Sequence, residues 1–347
     1  QMLKRAFLAA ALAGLLAACS GGGAEQSGAP PKIGVQGAGA TFPAPLYSRW
    51  ATAYGAEGTI QINYQAIGSG GGINQIKQGT VDFGATDKPL TDQELTAAGL
   101  NQFPTVLGGV VPVINLPGVA PGGLQLTGPL LADIFRGDLK SWADPRLAAI
   151  NPGVVLPNLP ITVVHRSDGS GTTYLFTTYL AGVSPAFKAS PGASDALAWP
   201  VGIGGKGNDG VAAYVKQTAG AIGYVEYSYV KQNSLGHAVL QNKDGAFVAP
   251  TPAAFAAAAA GADWNKSAGF DVLLLDQPGA ASWPISGATF VLTRKDGPKN
   301  PEIVKFFDWA FTKGDAAAND LGYVPLPEAV KTKVRASWPA AKPAAGN

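Results

Sequence analysis

A short β-branched or alternating run that breaks at a glycine-rich turn and resumes as a helix recurs along this chain, and the recurrence limits the fold more than any other feature. The fullest example spans residues 165–180. Ile161, Thr162, Val163 and Val164 before it read as a buried strand. Tyr174, Leu175, Phe176, Tyr179 and Leu180 after it recur at helical spacing. Between them lies Arg166-Ser167-Asp168-Gly169-Ser170-Gly171-Thr172. Its two glycines permit a tight bend and a close backbone approach. The first helical turn presents unpaired N–H groups and the positive end of the helix dipole. Ser170 and Thr172 add hydroxyls, and Arg166 adds a fixed fork of charged donors. Such a turn is a socket for a small oxyanion. Taken alone it is equally an ordinary capped turn in which Arg166 pairs with Asp168.

Other parts of the chain repeat the arrangement. A brief strand at Ile33-Gly34-Val35 leads through a glycine-rich turn to Thr41, Phe42 and Pro43, with a helical face at Leu46, Tyr47, Trp50 and Tyr54. Residues 59–67 alternate at period two, and Gly68-Ser69-Gly70-Gly71-Gly72 follows. Residues 81–85 form another short strand with Asp87 leaving its end, and residues 202–210 lead into a further helix at 211–217. Lys206 in that turn is expected as a solvated loop lysine. No phosphate-loop or dinucleotide fingerprint is present. In open α/β domains, joins of this kind lie at the carboxyl ends of strands, where ligands bind.

Two long apolar strands are expected to cross between lobes. One covers residues 103–114 and is interrupted at Gly108-Gly109, a candidate hinge; the other covers residues 283–292. Residues 220–230 read as a strand and a tyrosine-rich turn, the tyrosines fitting a core. An alanine-rich helix near 255–260 and an amphipathic one over 303–311 complete the pattern.

At 347 residues and 46% hydrophobic content the chain has material for about two domains. Residues 1–18, with Lys4 and Arg5 ahead of an apolar run, read as a secretory signal peptide too short to span a membrane. Cys19, the only cysteine, follows Leu16-Ala17-Ala18 and is the expected lipidation site; no intrachain disulfide is possible. Residues 19–31 read as a flexible tether and residues 339–347 as a frayed tail. Lys+Arg exceed Asp+Glu by only two, 25 against 23, and the leader holds two of those cations. A neutral body argues against nucleic-acid binding and against membrane association beyond the lipid.

If the joins converge, Thr41, Ser69, Ser170 and Thr172 surround one anion and Arg166 supplies charge. Asp87 is then the informative outlier, because a carboxylate beside an anion is repelled unless the anion brings a proton. Phosphate near neutral pH carries one and sulfate does not, so an ionised aspartate accepts from the first and rejects the second. His165, Asp168 and Ser170 supply the residue types of a hydrolase triad, but they crowd into six residues without the strained nucleophile turn. His165 and His237 are the only histidines and show no metal-ligand spacing.

Segments 37–47, 67–72, 81–90, 102–111, 166–180, 202–215, 220–230, 283–292 and 306–311 resemble, in the same order, the periplasmic phosphate-binding proteins of phosphate-specific ABC transporters. The resemblance implies an α/β fold: a two-lobed periplasmic-binding-protein clamp of type II, with two crossover strands as the hinge. Residues 32–107 with 286–338 are expected as the first lobe and 108–285 as the second. It implies inorganic phosphate as the ligand, no cofactor, no metal and no catalysis. Carried over, Thr41, Phe42 through its N–H, Ser69, Ser170, Gly171 and Thr172 donate to phosphate; Arg166 pairs with it, Asp168 orients Arg166, and Asp87 accepts the phosphate proton. His165 stands where many relatives have a second basic residue, and Gly70 where some have serine. The expected partners are the permease subunits of the importer, the expected state is a monomer, and the expected location is the periplasm or cell envelope. A receptor for another tetrahedral oxyanion, or a phosphatase-like hydrolase using Ser170, stands as the alternative.

Overall fold

A computed structural model describes residues 32–338. The signal peptide, Cys19, the tether and the tail therefore lie outside the described residues. The first third alternates strand and helix: β1 (Ile33–Gly39), α1 (Ala44–Glu57), β2 (Ile60–Ala66), α2 (Ser69–Gln78), β3 (Phe83–Thr86) and α3 (Asp92–Ala98). The long β4 (Leu100–Ile114) follows, then β5 (Leu124–Leu126), α4 (Gly128–Arg136) and α5 (Pro145–Ile150). Alternation resumes with β6 (Thr162–Arg166), α6 (Gly171–Val183), α7 (Pro185–Ala189), β7 (Ile203–Gly205), α8 (Gly207–Gln217), β8 (Ala221–Glu226) and α9 (Tyr227–Asn233). The chain ends with β9 (Gly236–Gln241), β10 (Phe247–Val248), α10 (Pro252–Ala259), β11 (Leu274–Leu275), β12 (Ile285–Arg294), α11 (Asn300–Lys313), α12 (Asp315–Leu321), β13 (Val324–Pro325) and α13 (Glu328–Ser337).

Local chemistry explains several of these boundaries. Thr91 and Glu94 exchange side-chain and backbone bonds as a capping box that starts α3. The tyrosine-rich stretch differs from its expected strand and turn. Glu226 accepts the Ser228 N–H at 2.8 Å and so caps a helix, α9, where the sequence pattern suggests only a bend. The long apolar strand also runs unbroken through Gly108-Gly109 as part of β4.

The main strands lie in the order β2-β1-β3-β12-β4-β8-β6-β7. β1, β2 and β3 are mutually parallel, as are β6, β7 and β8. β4 is shared between the two sets, antiparallel to β12 over residues 100–109 and to β8 over residues 110–114. The register fixes a consequence. The last residue of β3, Thr86, sits opposite Phe290, which in turn faces Pro104; the last residue of β8, Glu226, sits opposite Val110. The carboxyl ends of both parallel sets thus point toward the middle of β4. Segment 267–275, which falls within 108–285, is bonded to the first set: Asp92 accepts the Gly269 N–H at 2.9 Å, and Gln102 Nε2 donates to the Gly269 carbonyl at 2.7 Å.

Each set has its own aromatic packing. Phe307 on α11 meets Tyr47, Phe83 and Phe103 edge-on, with ring centroids 5.6, 5.7 and 5.5 Å away. On the other side Phe176 of α6 stacks on Tyr224 of β8 at 4.2 Å. Each such pair contributes about 0.5–1.5 kcal/mol beyond the area it buries. At the junction the Trp283 indole donates to the Val110 carbonyl at 3.0 Å, and the Phe255 ring lies directly on Gly109. A Cβ on Gly109 would come within 2.2 Å of that ring. We therefore expect Gly109→Ala to lower the unfolding free energy by about 1–3 kcal/mol in urea denaturation, the range for overpacking a closed core.

Candidate functional site

The turns that leave the strand ends meet one another. The Gly70 N–H donates to the Gly169 carbonyl at 3.0 Å, joining the start of α2 to the turn ahead of α6. The Asp87 N–H donates to Ser69 Oγ at 3.3 Å. At the start of α8, Asn208 donates to Thr41 Oγ1 from its amide side chain at 2.8 Å and from its backbone at 3.2 Å. The same side chain reaches Thr172 Oγ1 at 3.3 Å. Four helix starts, those of α1, α2, α6 and α8, are thereby drawn to one place. α6 approaches so closely that a Cβ on Gly171 would lie 2.6 Å from both the Asp87 Cβ and Ser69 Oγ. Only glycine fits that contact.

Thr41, Phe42, Ser69, Asp87, Arg166, Ser170 and Thr172 are each 4 % exposed or less. Gly171 is buried with them, and Asp168 sits at their edge, its side chain 13 % exposed. The structure thus gathers all the residues that the sequence singles out for the anion socket. Phe42 is fixed through its backbone: its carbonyl accepts the Tyr323 hydroxyl at 2.6 Å, while the Thr41 carbonyl accepts that of Tyr229 at 2.6 Å. Ser170 Oγ accepts the Thr173 N–H at 3.0 Å as the cap of α6. Its O–H remains able to donate.

The electrostatics centre on Arg166. Its Nε donates to Asp168 Oδ1 at 2.8 Å and its Nη2 to Asp168 Oδ2 at 2.5 Å, a bidentate pair. Asp168 Oδ1 also accepts the Gly207 N–H at 3.1 Å. Burial pushes the Asp168 carboxyl up, but the Arg166 guanidinium holds it below the usual carboxylate range. Arg166 Nη1 is buried and, among the described residues, has no hydrogen-bond partner. Asp87 is enclosed nearby, and burial raises its carboxyl to about 7 against the opposing pull of the Thr289 hydroxyl and the Arg166 charge. Thr289 donates to its Oδ1 at 2.9 Å. This set can neutralise a small, multiply charged anion from several sides while offering one acceptor.

The hydrolase arrangement is not assembled. His165 stacks on Trp199 at 5.2 Å, and its Nδ1 lies 3.0 Å from the Arg166 carbonyl. Neither Ser170 nor Asp168 is among its hydrogen-bond partners in the described residues, and Asp168 is committed to Arg166. Among those residues no group of three or more His, Cys, Asp or Glu could hold a metal ion, and no helix is long and apolar enough to cross a membrane.

Several participants escape sequence reading. Asn208 stands in a glycine-rich helix start that the pattern marks, although its own side chain carried no signal there; Lys206 beside it is exposed, as a loop lysine should be. Thr289 looks like any strand threonine. Glu226 ends β8 wholly buried, its Oε2 bonded to the Ser228 N–H and hydroxyl. Its Oε1 has no partner among the described residues. Burial raises its carboxyl to about 8.

Comparison with known proteins gives one consistent result. The PBP superfamily domain matches residues 23–313. The chain is 49% identical over 309 residues to the phosphate-binding protein PstS of Xylella fastidiosa (strain 9a5c), covering 88% of this chain and 85% of that protein. To the phosphate-binding protein PstS of Pasteurella multocida (strain Pm70) it is 51% identical over 308 residues, covering 88% and 89%. Among solved structures it is similar in fold to a putative phosphate ABC transporter substrate-binding protein from Clostridium perfringens with bound phosphate. That match has a TM-score of 0.64 and 20% identity, over 85% of this chain and 100% of that one.

Asp87 and Glu226 both titrate higher in the folded chain than the ordinary value of about 4. The folded state therefore holds protons that the unfolded chain has released. Their stabilising contribution is complete below about pH 4 and is lost as pH rises through about 7 and 8. We expect denaturant unfolding to show lower stability at about pH 9 than at about pH 6, and Glu226→Gln to flatten that fall.

Proposed function

The chain belongs to the PstS family of phosphate-binding proteins within the PBP superfamily, and from that membership we propose that it binds inorganic phosphate and delivers it to an ABC-type importer. The observation that carries the reading at the level of the site is Asp87, an enclosed carboxylate among donors and beside a cation. An ionised carboxylate and a phosphate repel at contact unless a proton lies between them. Inorganic phosphate supplies that proton near neutral pH and sulfate cannot.

In this assignment Thr41, Ser69, Ser170 and Thr172 donate through hydroxyls, and Phe42 and Gly171 through backbone N–H groups. Arg166 meets the anion with its Nη1, the position Asp168 leaves open by taking Nε and Nη2. The helix starts add their dipoles. Residues 32–107 with 286–338 make one lobe and 108–285 the other, with segment 267–275 laid against the first. Phosphate sits where the two sets of strand ends meet, and opening about β4 and the approach to β12 releases it at the permease. In this reading no bond is made or broken; among the described residues Ser170 Oγ is bonded to the Thr173 N–H and Asp168 is occupied by Arg166. The protein acts as an exported monomer held to a membrane through lipid on Cys19; binding of nucleic acid, metal or cofactor forms no part of this function.

Calorimetric titration tests the assignment, using protein freed of bound anion by unfolding and refolding. The parent is expected to bind phosphate one to one with no sulfate heat. Asp87→Asn should weaken phosphate about 10- to 100-fold, as loss of a hydrogen bond to a charged group does, and should admit sulfate. Equal binding of both anions by the parent would favour a receptor for another oxyanion. Turnover of a phosphate ester that Ser170→Ala abolishes would favour a hydrolase. For the anchor, metabolic labelling with a radioactive fatty acid should mark the full chain and not Cys19→Ser.

A further inference from the structure

Lys88 follows Asp87 in the turn that leaves β3, and its backbone is pinned there. Thr86 Oγ1 accepts the Lys88 N–H at 3.0 Å and donates to the Lys88 carbonyl at 2.8 Å. The side chain extends toward Tyr174 on α6. Its Nζ lies 3.2 Å from Asp195 Oδ1 and 5.5 Å from the centre of the Tyr174 ring. Asp195 is pinned as firmly. Its carbonyl accepts the Ser170 N–H at 2.8 Å, and its neighbour Ser194 exchanges bonds with Thr177 Oγ1 at 3.1 and 2.9 Å. Lys88 thus comes from the strand set of β1–β3, while Tyr174 and Asp195 belong to the set built on β6–β8. The contact is next in sequence to Asp87 and one hydrogen bond from Ser170.

We propose that Lys88, Asp195 and Tyr174 form a clasp that fastens the two lobes over the bound anion and sets how long it stays. The proposal rests on the phosphate reading above. Groups carried on opposite lobes meet only when the lobes close, so their attraction favours the closed state and appears in the rate of release. Lys88 and Asp195 keep 29% and 24% of their side chains exposed, so solvent and salt weaken the pair. The aromatic face adds to it. Together they should slow release by about three- to tenfold. A lone cation at the mouth would behave differently, because it would draw anions in and alter association.

The test is rapid-mixing kinetics on the full chain with radiolabelled phosphate, comparing the parent with Lys88→Ala, Asp195→Asn and the double variant. Asp195→Asn retains the carbonyl that holds Ser170. Each single change should speed release about three- to tenfold and leave association within about twofold, and the double variant should be no faster than the singles. Added salt should speed release from the parent and leave the double variant unchanged. Unchanged release, strictly additive effects or a loss confined to association would each overturn the clasp. A parent that binds no phosphate would overturn the phosphate reading and the clasp with it, an outcome distinct from binding that is insensitive to Lys88.

Discussion

Arg166 lies inside the protein, and the surroundings answer its guanidinium unevenly. Asp168 takes Nε and Nη2 in one plane and leaves Nη1 aimed elsewhere. A buried guanidinium cannot shed its proton as a lysine can, so it must be balanced by charge or by oriented acceptors. Asp87 stands near enough for the cation to pull its carboxyl down, although burial dominates and raises it to about 7. One cation with one committed carboxylate is neutral as a pair. In the proposed site an added anion would then depend on hydroxyls, backbone N–H groups and helix dipoles, together with a proton shared with Asp87.

The fold brings those groups together. Two sets of parallel strands approach the middle of β4 from opposite directions, so the helix starts that follow their carboxyl ends face one another. Asn208 acts as a strut in this arrangement, touching Thr41 from the first set and Thr172 from the second while its Oδ1 accepts the Glu226 N–H. Tyr229 and Tyr323 perform a similar service from α9 and the approach to β13, holding the carbonyls of Thr41 and Phe42. Lys88 and Asp195 bring the same opposition of halves to the margin of the site.

Much of the central cluster is legible from the chain. Thr41, Ser69, Asp87 and the turn 166–172 each stand where a strand gives way to a helix, and it is their repetition along the chain, more than any one turn, that marks them. What was not legible has a common cause. Thr289 lies within β12, where a threonine is as ordinary as a valine, and only the arrival of Asp87 from β3 turns its hydroxyl into a donor. Glu226 likewise looks like a polar residue ending a strand, until β4, Ser228 and the chain near Tyr323 enclose it. The expected turn after β8 became a helix for the same local reason, since the enclosed carboxylate is in position to cap it.

Sequence by itself determined the alternating α/β order, the glycine-rich helix starts and the residue types of an anion socket, because strand, turn and helix preferences act over a few neighbours. Its long ordered likeness to phosphate-binding proteins determined the family. Only the tertiary structure decided which donors face which, that Asn208 bridges Thr41 and Thr172, and that Lys88 reaches Asp195. Asn208 lies 36 positions from Thr172 and 167 from Thr41, and Lys88 lies 107 from Asp195. Contacts at such separations depend on strand register and on how closely two backbones approach, and neither is written in any local run of side chains.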